Sequence, residues 1–414
     1  MKMTMLSDKP TEPTATILHD RAAAETYVAS VCFKHGPPRL LGVELEWTVH
    51  HTHDPGRYLD AAHLADALGA HAPTSLNPDS PQLPLPGGSR ITVEPGGQVE
   101  ISSAASPSLA TLIATVSADI ALLHDRLRDN GLTVGNRGID PYRAPRRLLD
   151  TPRYAAMEAA FEPIGPDGIA MMCSTAGLQV CVDAGEGDRV AARWAAVHAL
   201  GPVLTALFAN SSQVRGPCSP WASARLRTLL GTDPPRMRPP AVFTADPAAS
   251  WARHVLDVPV ICVRRPTGSW QPPIKLSFAD WIAGALPDPP TTEDLDYHVS
   301  TLFPPVRPRG YLEVRYLDAQ QGEGWITPAA LLIGLLAKES TVDEVLDITA
   351  PAANRWLHAA RYGLDDERIA TAARGIVGLA ERVLADGTDL GAELTASVIK
   401  QAHERIAGAG REGI

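Results

Sequence analysis

Residues 41–47 read LGVELEW, and this stretch decides the fold because apolar and acidic residues alternate along it. Successive side chains of an extended strand point to opposite faces of the sheet. The four apolar residues therefore share one face, and Glu44 and Glu46 share the other. The stretch predicts a β-strand with one buried apolar side and two carboxylates on the opposite side.

Three further segments show the same alternation. They are residues 93–102 (VEPGGQVEIS), 177–183 (GLQVCVD) and 311–317 (YLEVRYL). Their polar positions, taken with those of the first segment, are Glu44, Glu46, Gln98, Glu100, Gln179, Glu313 and Arg315. An acid that alternates with apolar residues is ordinary on the solvent face of a single antiparallel strand. Four such strands with one cation among them predict an acidic face shared by one sheet.

Like charges a few ångströms apart repel one another, so an acidic face of this density needs cations to neutralise it. Carboxylate and amide oxygens are hard ligands, which suit Mg²⁺ or Mn²⁺. These ions usually bridge to phosphate groups of a substrate. The pattern therefore indicates a divalent-metal site, and a nucleotide is the expected phosphate-bearing ligand. Three nearby histidines, His50, His51 and His53, are interpreted as a solvated loop rather than a transition-metal site.

The composition excludes several classes of partner. The chain has 414 residues, 45% of them hydrophobic, and a formal net charge of −10. Nucleic acid and anionic membranes both require a basic surface, so neither is expected as the main partner. No apolar run approaches the roughly 20 residues of a membrane span. The five cysteines are scattered without a CxxC pair, which is typical of reduced thiols and predicts a cytoplasmic protein.

Helical patterns flank the strand segments. Residues 21–33 are Ala-rich, Ser106-Pro107 and Gly131 have the chemistry of a helix start and stop, and residues 189–209 are apolar nearly all round. Strands interspersed with such helices and long crossovers predict an α+β fold. We expect a largely antiparallel, curved sheet with helices on its outer face.

The chain divides into three predicted parts. Residues 1–16 are polar and are expected to be flexible, residues 17–326 to form the catalytic α+β domain, and residues 327–414 a helical subdomain packed on it. The predicted helices of the last part are residues 328–338, 341–346, 366–384 and 390–407.

The motifs, in their order and spacing, resemble the glutamate–cysteine ligases of the family shared by plants and many bacteria, which is related in fold to glutamine synthetase. The resemblance is carried by GVELEW, EPGGQVEIS, MMCSTAGLQVCVD, NSS and YLEVRYLDA, and it covers about two thirds of the chain, residues 41–320. Within that family the chain is most similar to the ligases that supply γ-glutamylcysteine to ergothioneine synthesis.

The resemblance implies that ATP drives the joining of the glutamate γ-carboxylate to the amine of cysteine, through γ-glutamyl phosphate. It implies two metal sites, one with Glu46, Glu94 and Glu100 and the other with Glu44, Gln179 and Glu313. The implied catalytic residues are Arg315, Glu46 and Glu313. The implied contacts to ATP or substrate are Arg225, Arg236, Gln98, Ser174 and Thr175.

The chain departs from the family pattern at two places. Some relatives have His at the position of Gln179, so the ligand here would be weaker or bridged by water. Plant members have a tryptophan-containing segment around Arg225 where this chain has LRTLLGTDPPR (residues 226–236), although Thr232, Asp233 and Arg236 keep the pattern.

Two alternatives stay open from the residues alone. One is a ligase of the same chemistry with a different amine acceptor, and the other is a non-catalytic relative that binds a nucleotide or an amino acid. The expected partners are the small molecules glutamate, cysteine and ATP. A monomer is slightly favoured over an oligomer.

Overall fold

Eight strands lie within residues 15–187 and 189–408, the part of the chain that the computed structural model describes. They are β1 (Leu41–Trp47), β2 (Val49–His51), β3 (Arg90–Val93), β4 (Val99–Ser102), β5 (Leu132–Val134), β6 (Gly177–Val182), β7 (Val306–Pro308) and β8 (Leu312–Asp318). Six form one antiparallel sheet in the order β3-β4-β1-β6-β8-β7, and β2 pairs with β5. The predicted α+β class with a largely antiparallel sheet is confirmed.

The sheet has two chemically distinct faces, as the alternation predicted. Along β1, Val43 and Leu45 are buried in the hydrophobic core. Across the strands, Glu46 pairs with Glu100 of β4, and Glu44 pairs with Gln179 of β6. The central position of β1 therefore brings polar side chains from three strands onto one face.

The segment 93–102 contains the stretch Glu94-Pro95-Gly96-Gly97, whose sequence is typical of a turn. The structure places a hairpin there, in which β3 and β4 flank a turn at residues 94–98. Gly97 has a φ of +90°, which favours glycine, and a Cβ at Gly96 would lie 2.2 Å from the Cys173 carbonyl oxygen. The glycines thus allow the turn to approach the protein backbone, and Pro95 ends the first strand.

Sixteen α-helical segments accompany the sheet in the described residues. They are α1 (Arg21–Cys32), α2 (Ala61–Leu68), α3 (Leu109–Asp129), α4 (Pro152–Phe161), α5 (Asp167–Ser174), α6 (Arg189–Leu207), α7 (Ala224–Thr232), α8 (Pro234–Met237), α9 (Pro247–Asp257), α10 (Phe278–Asp280), α11 (Thr292–Val299), α12 (Ile326–Leu335), α13 (Glu339–Thr349), α14 (Trp356–Tyr362), α15 (Glu367–Gly387) and α16 (Ala392–Gly408).

Helices α3 and α6 pack behind the apolar face, against β1 and β8 respectively. The cap of α3 is Ser108, whose hydroxyl accepts a hydrogen bond from the Thr111 N–H (3.0 Å), and not the predicted Ser106. The Ser106 N–H instead donates to the Leu41 carbonyl (2.9 Å), which ties it to the sheet. Helix α6 has the length and composition of a membrane span, but 78% of its apolar window is buried inside the protein.

The C-terminal helices share the core of the sheet. Every residue of α12 is buried, and the helix packs against β6, α15 and α16. Helix α14 was not predicted from the sequence. The buried apolar residues form a cluster that runs from Leu18 to Ala402. The predicted boundary at residue 326 therefore stays a prediction. The predicted flexible segment 1–16 lies outside the described residues except for its last two, and Thr16 is hydrogen-bonded to Thr292 there.

Candidate active site

A cavity of about 440 Å³ opens on the polar face of the sheet. Its lining includes the predicted residues Glu44, Glu46, Glu94, Gln98, Glu100, Thr175, Gln179, Arg225 and Arg315. The hairpin β3-β4 and the strands β1, β6 and β8 supply most of them, because their polar side chains share one face. The fold therefore brings most of the residues predicted from the sequence into one cavity.

Two carboxylates in the cavity are left without a partner. Within the described residues, the side chains of Glu44 and Glu94 accept no hydrogen bond and form no ion pair. Burial, with the nearby charge of Glu313, raises the pKa of Glu44 to about 7. Burial and the charge of Glu46 raise the pKa of Glu94 to about 7. Both carboxylates would be stabilised by a cation.

Glu46 and Glu100 lie side by side and share Gln179 as a donor. The Gln179 amide nitrogen donates to Glu46 (2.9 Å) and to Glu100 (3.3 Å). Glu46 also accepts from the Gly177 N–H (2.7 Å), and Glu100 accepts from the Thr92 hydroxyl (2.6 Å). Burial and three neighbouring carboxylates raise the pKa of Glu100 well above its usual range.

Glu313 lies at the centre of an arginine cluster. Arg307 donates to both of its oxygens (2.7 and 3.2 Å), Arg315 donates at 3.0 Å, and Arg309 lies at 3.5 Å. Burial alone would raise the pKa of Glu313, but these guanidinium groups lower it to about 2. Arg315 also donates to the Gln179 side-chain oxygen. Glu313 is therefore ionised and fully bonded by guanidinium groups in this structure.

The carboxylates fit a divalent cation by donor chemistry. Hard oxygens that are half-buried and without protein donors, as at Glu44 and Glu94, suit Mg²⁺. They are not gathered round one point, since residues 15–187 and 189–408 contain no group of three or more His, Cys, Asp or Glu with metal-binding geometry. The predicted ligands therefore line one cavity rather than two formed coordination sites, with the exception of Glu313, which lies outside the cavity lining.

Arg225 brings a buried positive charge to the same cavity. Its side chain is 97% buried relative to solvent, and its Nη2 donates to the Arg315 carbonyl (3.0 Å). Its Nε and Nη1 have no hydrogen-bond partner in the part of the chain that the structure describes. Burial lowers the pKa of Arg225, and Asp318 opposes that effect. Unpaired buried donors of this kind are available to an anionic ligand.

Three predicted contact residues serve the protein itself. The Gln98 amide nitrogen donates to the Thr175 carbonyl (2.9 Å), and its oxygen accepts from the Gly96 N–H (3.0 Å). The Thr175 hydroxyl donates to the Met171 carbonyl (2.7 Å). Ser174 does not line the cavity, and its carbonyl accepts from the Asp140 N–H (2.7 Å). Gln98 and Thr175 thus join the 94–98 turn to the end of α5.

Arg236 was predicted to contact ATP or substrate, but the structure places it outside the cavity lining. It is almost fully buried, pairs with Asp233 (3.0 Å), and donates to the Thr301 carbonyl and hydroxyl and the Pro259 carbonyl. All three guanidinium nitrogens are occupied, because this arginine ties α8 to the segments around residues 259 and 301.

Sequence reasoning missed several residues that line the cavity. They are Arg153, Tyr154, Met157, Met171, Met172, Arg307, Arg309 and Tyr311. Arg307 and Arg309 alternate in VRPRG, which is a strand signal, but Pro308 argues against a central strand. The structure places Pro308 on the edge strand β7, where proline is tolerated. His50 and His51, interpreted as a solvated loop, are buried in β2 instead.

The chain matches known ligases over most of its length. The family described as Glutamate-cysteine ligase family 2 (GCS2) matches residues 40–413. Glutamate–cysteine ligase EgtA of Mycobacterium tuberculosis is 37% identical over 371 residues, which are 88% of this chain and 83% of that protein. Glutamate–cysteine ligase EgtA of Mycolicibacterium smegmatis is 38% identical over 367 residues, 86% and 83% respectively.

A solved structure of a glutamate–cysteine ligase from Francisella tularensis in complex with AMP aligns with 91% of this chain and 94% of its own. Its sequence identity is 13% and its TM-score is 0.48. The long matches of sequence show what the fold and cavity had indicated, an enzyme of the ligase class. The chain belongs to glutamate–cysteine ligase family 2.

Proposed function

We propose that this protein joins the γ-carboxylate of L-glutamate to the amine of L-cysteine at the expense of ATP. The products are γ-glutamylcysteine, ADP and phosphate, and the dipeptide would serve ergothioneine biosynthesis. The observation that carries the proposal is the cavity in which unpaired carboxylates meet unpaired guanidinium donors, in a chain of this family. The composition supports a cytoplasmic enzyme, with a monomer slightly favoured.

The first step would transfer the terminal phosphoryl group of ATP to the glutamate γ-carboxylate, which gives γ-glutamyl phosphate and ADP. The cysteine amine then attacks the γ-carbonyl carbon, the bond to phosphate breaks, and the nitrogen loses a proton. Glu46, Glu94 and Glu100 would hold one Mg²⁺ and Glu44 a second, whereas the oxygens of Gln179 and Glu313, the other residues expected at the second site, accept hydrogen bonds from Arg315. Bound there, Mg²⁺ would neutralise charge that develops on the transferring phosphoryl group.

The arginine cluster suits the polyphosphate. Arg307, Arg309 and Arg315 surround Glu313, so three cations face one carboxylate at the end of the cavity where β8 begins. The surplus of positive charge favours an anion with several charges. Arg315 also contacts Gln179, and although burial alone would lower the pKa of Arg315, the carboxylates of Glu313, Glu46 and Glu44 raise it above its usual range. We assign this end of the cavity to ATP.

Arg225 suits a carboxylate of glutamate. It lies against Gly177 and near Asp318, at the opposite end of strands β6 and β8 from Arg307 and Arg309. Its Nη2 donates to the Arg315 carbonyl, whereas Arg307 pairs with Glu313, two residues nearer the start of β8, so the two arginines approach β8 at different positions. A single buried guanidinium with free donors recognises one carboxylate.

The amine acceptor is identified by a weaker feature. Met157, Met171 and Met172 line the cavity, and an apolar slot of this kind accepts a small thiol side chain. The Met-lined wall does not by itself exclude other small amino acids. The acceptor therefore has to be determined by comparison of amines.

The proposal is tested by coupled ADP release from the purified protein with ATP, Mg²⁺ and glutamate, with and without cysteine. We expect cysteine-dependent ADP release and a product with the mass of γ-glutamylcysteine. Turnover with another amine at similar efficiency would replace the acceptor and keep the chemistry. Absence of ADP release with every amine in a panel would favour the non-catalytic binding protein.

A further inference from the structure

A buried network of hydroxyl and carboxylate groups lies directly behind Arg225. Its centre is Asp318, the last residue of β8, which is 2% exposed. One Asp318 oxygen accepts from the Asn210 N–H (2.8 Å) and the Ser211 hydroxyl (2.7 Å). The other accepts from the Ser223 hydroxyl (2.9 Å). All three donors are neutral, so the network does not itself compensate the charge of Asp318.

Arg225 is joined to the network at both its backbone and its side chain. Its N–H donates to the Ser211 hydroxyl (3.1 Å), and that hydroxyl in turn donates to Asp318. Its Nη1 lies 3.9 Å from an Asp318 oxygen, within ion-pair range but without a hydrogen bond. Asp318 therefore supplies the opposite charge and leaves the donors at Nε and Nη1 unused.

A buried arginine that binds a ligand must satisfy two opposing requirements, and this arrangement satisfies both. A guanidinium that is removed from water needs a counter-charge, because an unpaired buried ion is strongly destabilising. A carboxylate in direct bidentate contact would use up the same donors that a ligand needs. A carboxylate held slightly farther away neutralises the charge and keeps the donors free.

The guanidinium is also fixed in place by its surroundings. A Cβ at Gly177 would lie 2.2 Å from Arg225 Nη2, so the chain has glycine where the guanidinium passes. On the other side, the Ser223 N–H donates to the Ala360 carbonyl (2.9 Å) of α14. The serine that bonds Asp318 is thereby anchored on the C-terminal helices as well as on the sheet.

We propose that Asp318, together with Ser211 and Ser223, is a positioning unit that holds the Arg225 guanidinium charged and aimed into the cavity to receive a carboxylate of the amino-acid substrate. Asp318 does not touch the substrate and acts through Arg225. The inference rests on the proposed function for the identity of that substrate as glutamate.

The test is Asp318→Asn, which keeps the side-chain shape and removes its charge. We expect the KM for glutamate to rise at least tenfold, with the KM for ATP changed less than twofold. The matched control is Asp119→Asn. Asp119 is a buried carboxylate (1% exposed) that accepts from the N–H groups of Gly87 and Ser89, and it does not line the cavity. The Asp119→Asn protein should have wild-type KM values for glutamate and for ATP. Any change in its stability then reflects only the loss of a buried hydrogen-bond acceptor.

A double-mutant cycle with Arg225→Lys shows whether Asp318→Asn acts through Arg225 or through a general loss of structure. In the Arg225→Lys background, Asp318→Asn should cause less than a twofold further change in the glutamate KM. An equal change in both backgrounds, or equal rises in the KM for glutamate and for ATP, would overturn the inference. So would a folded Asp318→Asn protein with wild-type KM for glutamate.

Should Asp318→Asn fail to fold, Ser211→Ala carries the test, because it removes only the hydroxyl that joins Arg225 to Asp318. A rise in the glutamate KM alone is expected, smaller than for Asp318→Asn, and an unchanged KM in the folded variant would refute the positioning role. A wild-type protein without glutamate-dependent ADP release would instead overturn the proposed function and the ligand named here.

Discussion

Glu46 occupies the middle of the cavity, between the two ends assigned to ATP and to glutamate. It accepts from the Gly177 N–H and the Gln179 amide, and it lies across from Glu100 on the adjacent strand. Its position on the central strand places it between Gln179 of β6 and Glu100 of β4. A conservative substitution of Glu46 should therefore lower turnover without a large change in the stability of the fold.

We predict that Glu46→Gln lowers turnover by about three orders of magnitude or more, because it weakens a metal that acts in the transition state. The amide oxygen can still accept from Gly177, so the fold should stay intact. Steady-state kinetics and thermal unfolding measure the two effects. Glu162→Gln, an exposed site outside the cavity, is the control. Near-normal activity in Glu46→Gln would show that the acid face is scaffold.

Some residues of the cavity can be predicted from local sequence and others cannot. The acids of β1, β4 and β8 were found because alternation is a local property of one strand. Arg236 was predicted to contact ATP or substrate, and its motif does not reveal that it lies outside the cavity lining with its donors bonded to Thr301 and Pro259. Arg153 was missed because nothing near it in the sequence shows that α4 packs beside the sheet.

At the scale of elements, the acid face makes the stability of the protein depend on pH and on metal. The pKa values of Glu44 and Glu94 are raised to about 7 from an ordinary value of 4.5, and the pKa of Glu100 is also raised well above that ordinary value. A group whose pKa is raised on folding favours the folded state when protonated. This stability is fully present below about pH 4.5 and is lost as the pH rises through 7.

We therefore predict that the metal-free protein melts at a lower temperature at pH 8 than at pH 6. Addition of Mg²⁺ should raise the melting temperature at pH 8 and so remove this difference. Metal binding requires ionised carboxylates, so Mg²⁺ should stabilise more at pH 8 than at pH 6. Thermal unfolding with EDTA and with excess Mg²⁺ at both pH values measures this. A melting temperature that rises from pH 6 to pH 8 in EDTA, or an Mg²⁺ effect independent of pH, would contradict the prediction.

The contact between α6 and α14 depends on one glycine. A Cβ at Gly201 would lie 1.9 Å from the ring of Trp356, which also packs against Tyr316 of β8. We predict that Gly201→Ala destabilises the protein by about 1–3 kcal/mol, the usual cost of an overpacked core. Chemical denaturation measures the free energy of unfolding.

The matched control is Gly378→Ala, inside α15, where an added Cβ meets nothing within 4 Å. It should stabilise by up to about 1 kcal/mol, because alanine is the better helix former. Equal effects of the two substitutions on the free energy of unfolding would show that α14 shifts to accommodate the added methyl group without loss of stability.

At the scale of the molecule, the C-terminal helices are part of the same core as the sheet. Helix α12 is wholly buried, α13 and α15 pack on α6, and α14 holds the Ser223 turn behind Arg225. We predict that a chain ending at residue 326 loses cooperative unfolding, since its sheet would expose the surface that α12 covers. Near-ultraviolet circular dichroism and calorimetry measure this. A sharp transition in the truncated chain would instead support residues 17–326 as an independent domain.

The sequence by itself determined the two faces of the sheet, the acids on one of them and the antiparallel α+β class, because a period of two along a strand needs no knowledge of distant residues. It also carried the family resemblance, since that rests on motifs read in order. Only the tertiary structure decided that Arg307 of the edge strand β7 and Arg309 just after it reach the cavity. It alone placed Asp318 behind Arg225, because contacts across 90 or more residues depend on how the elements pack.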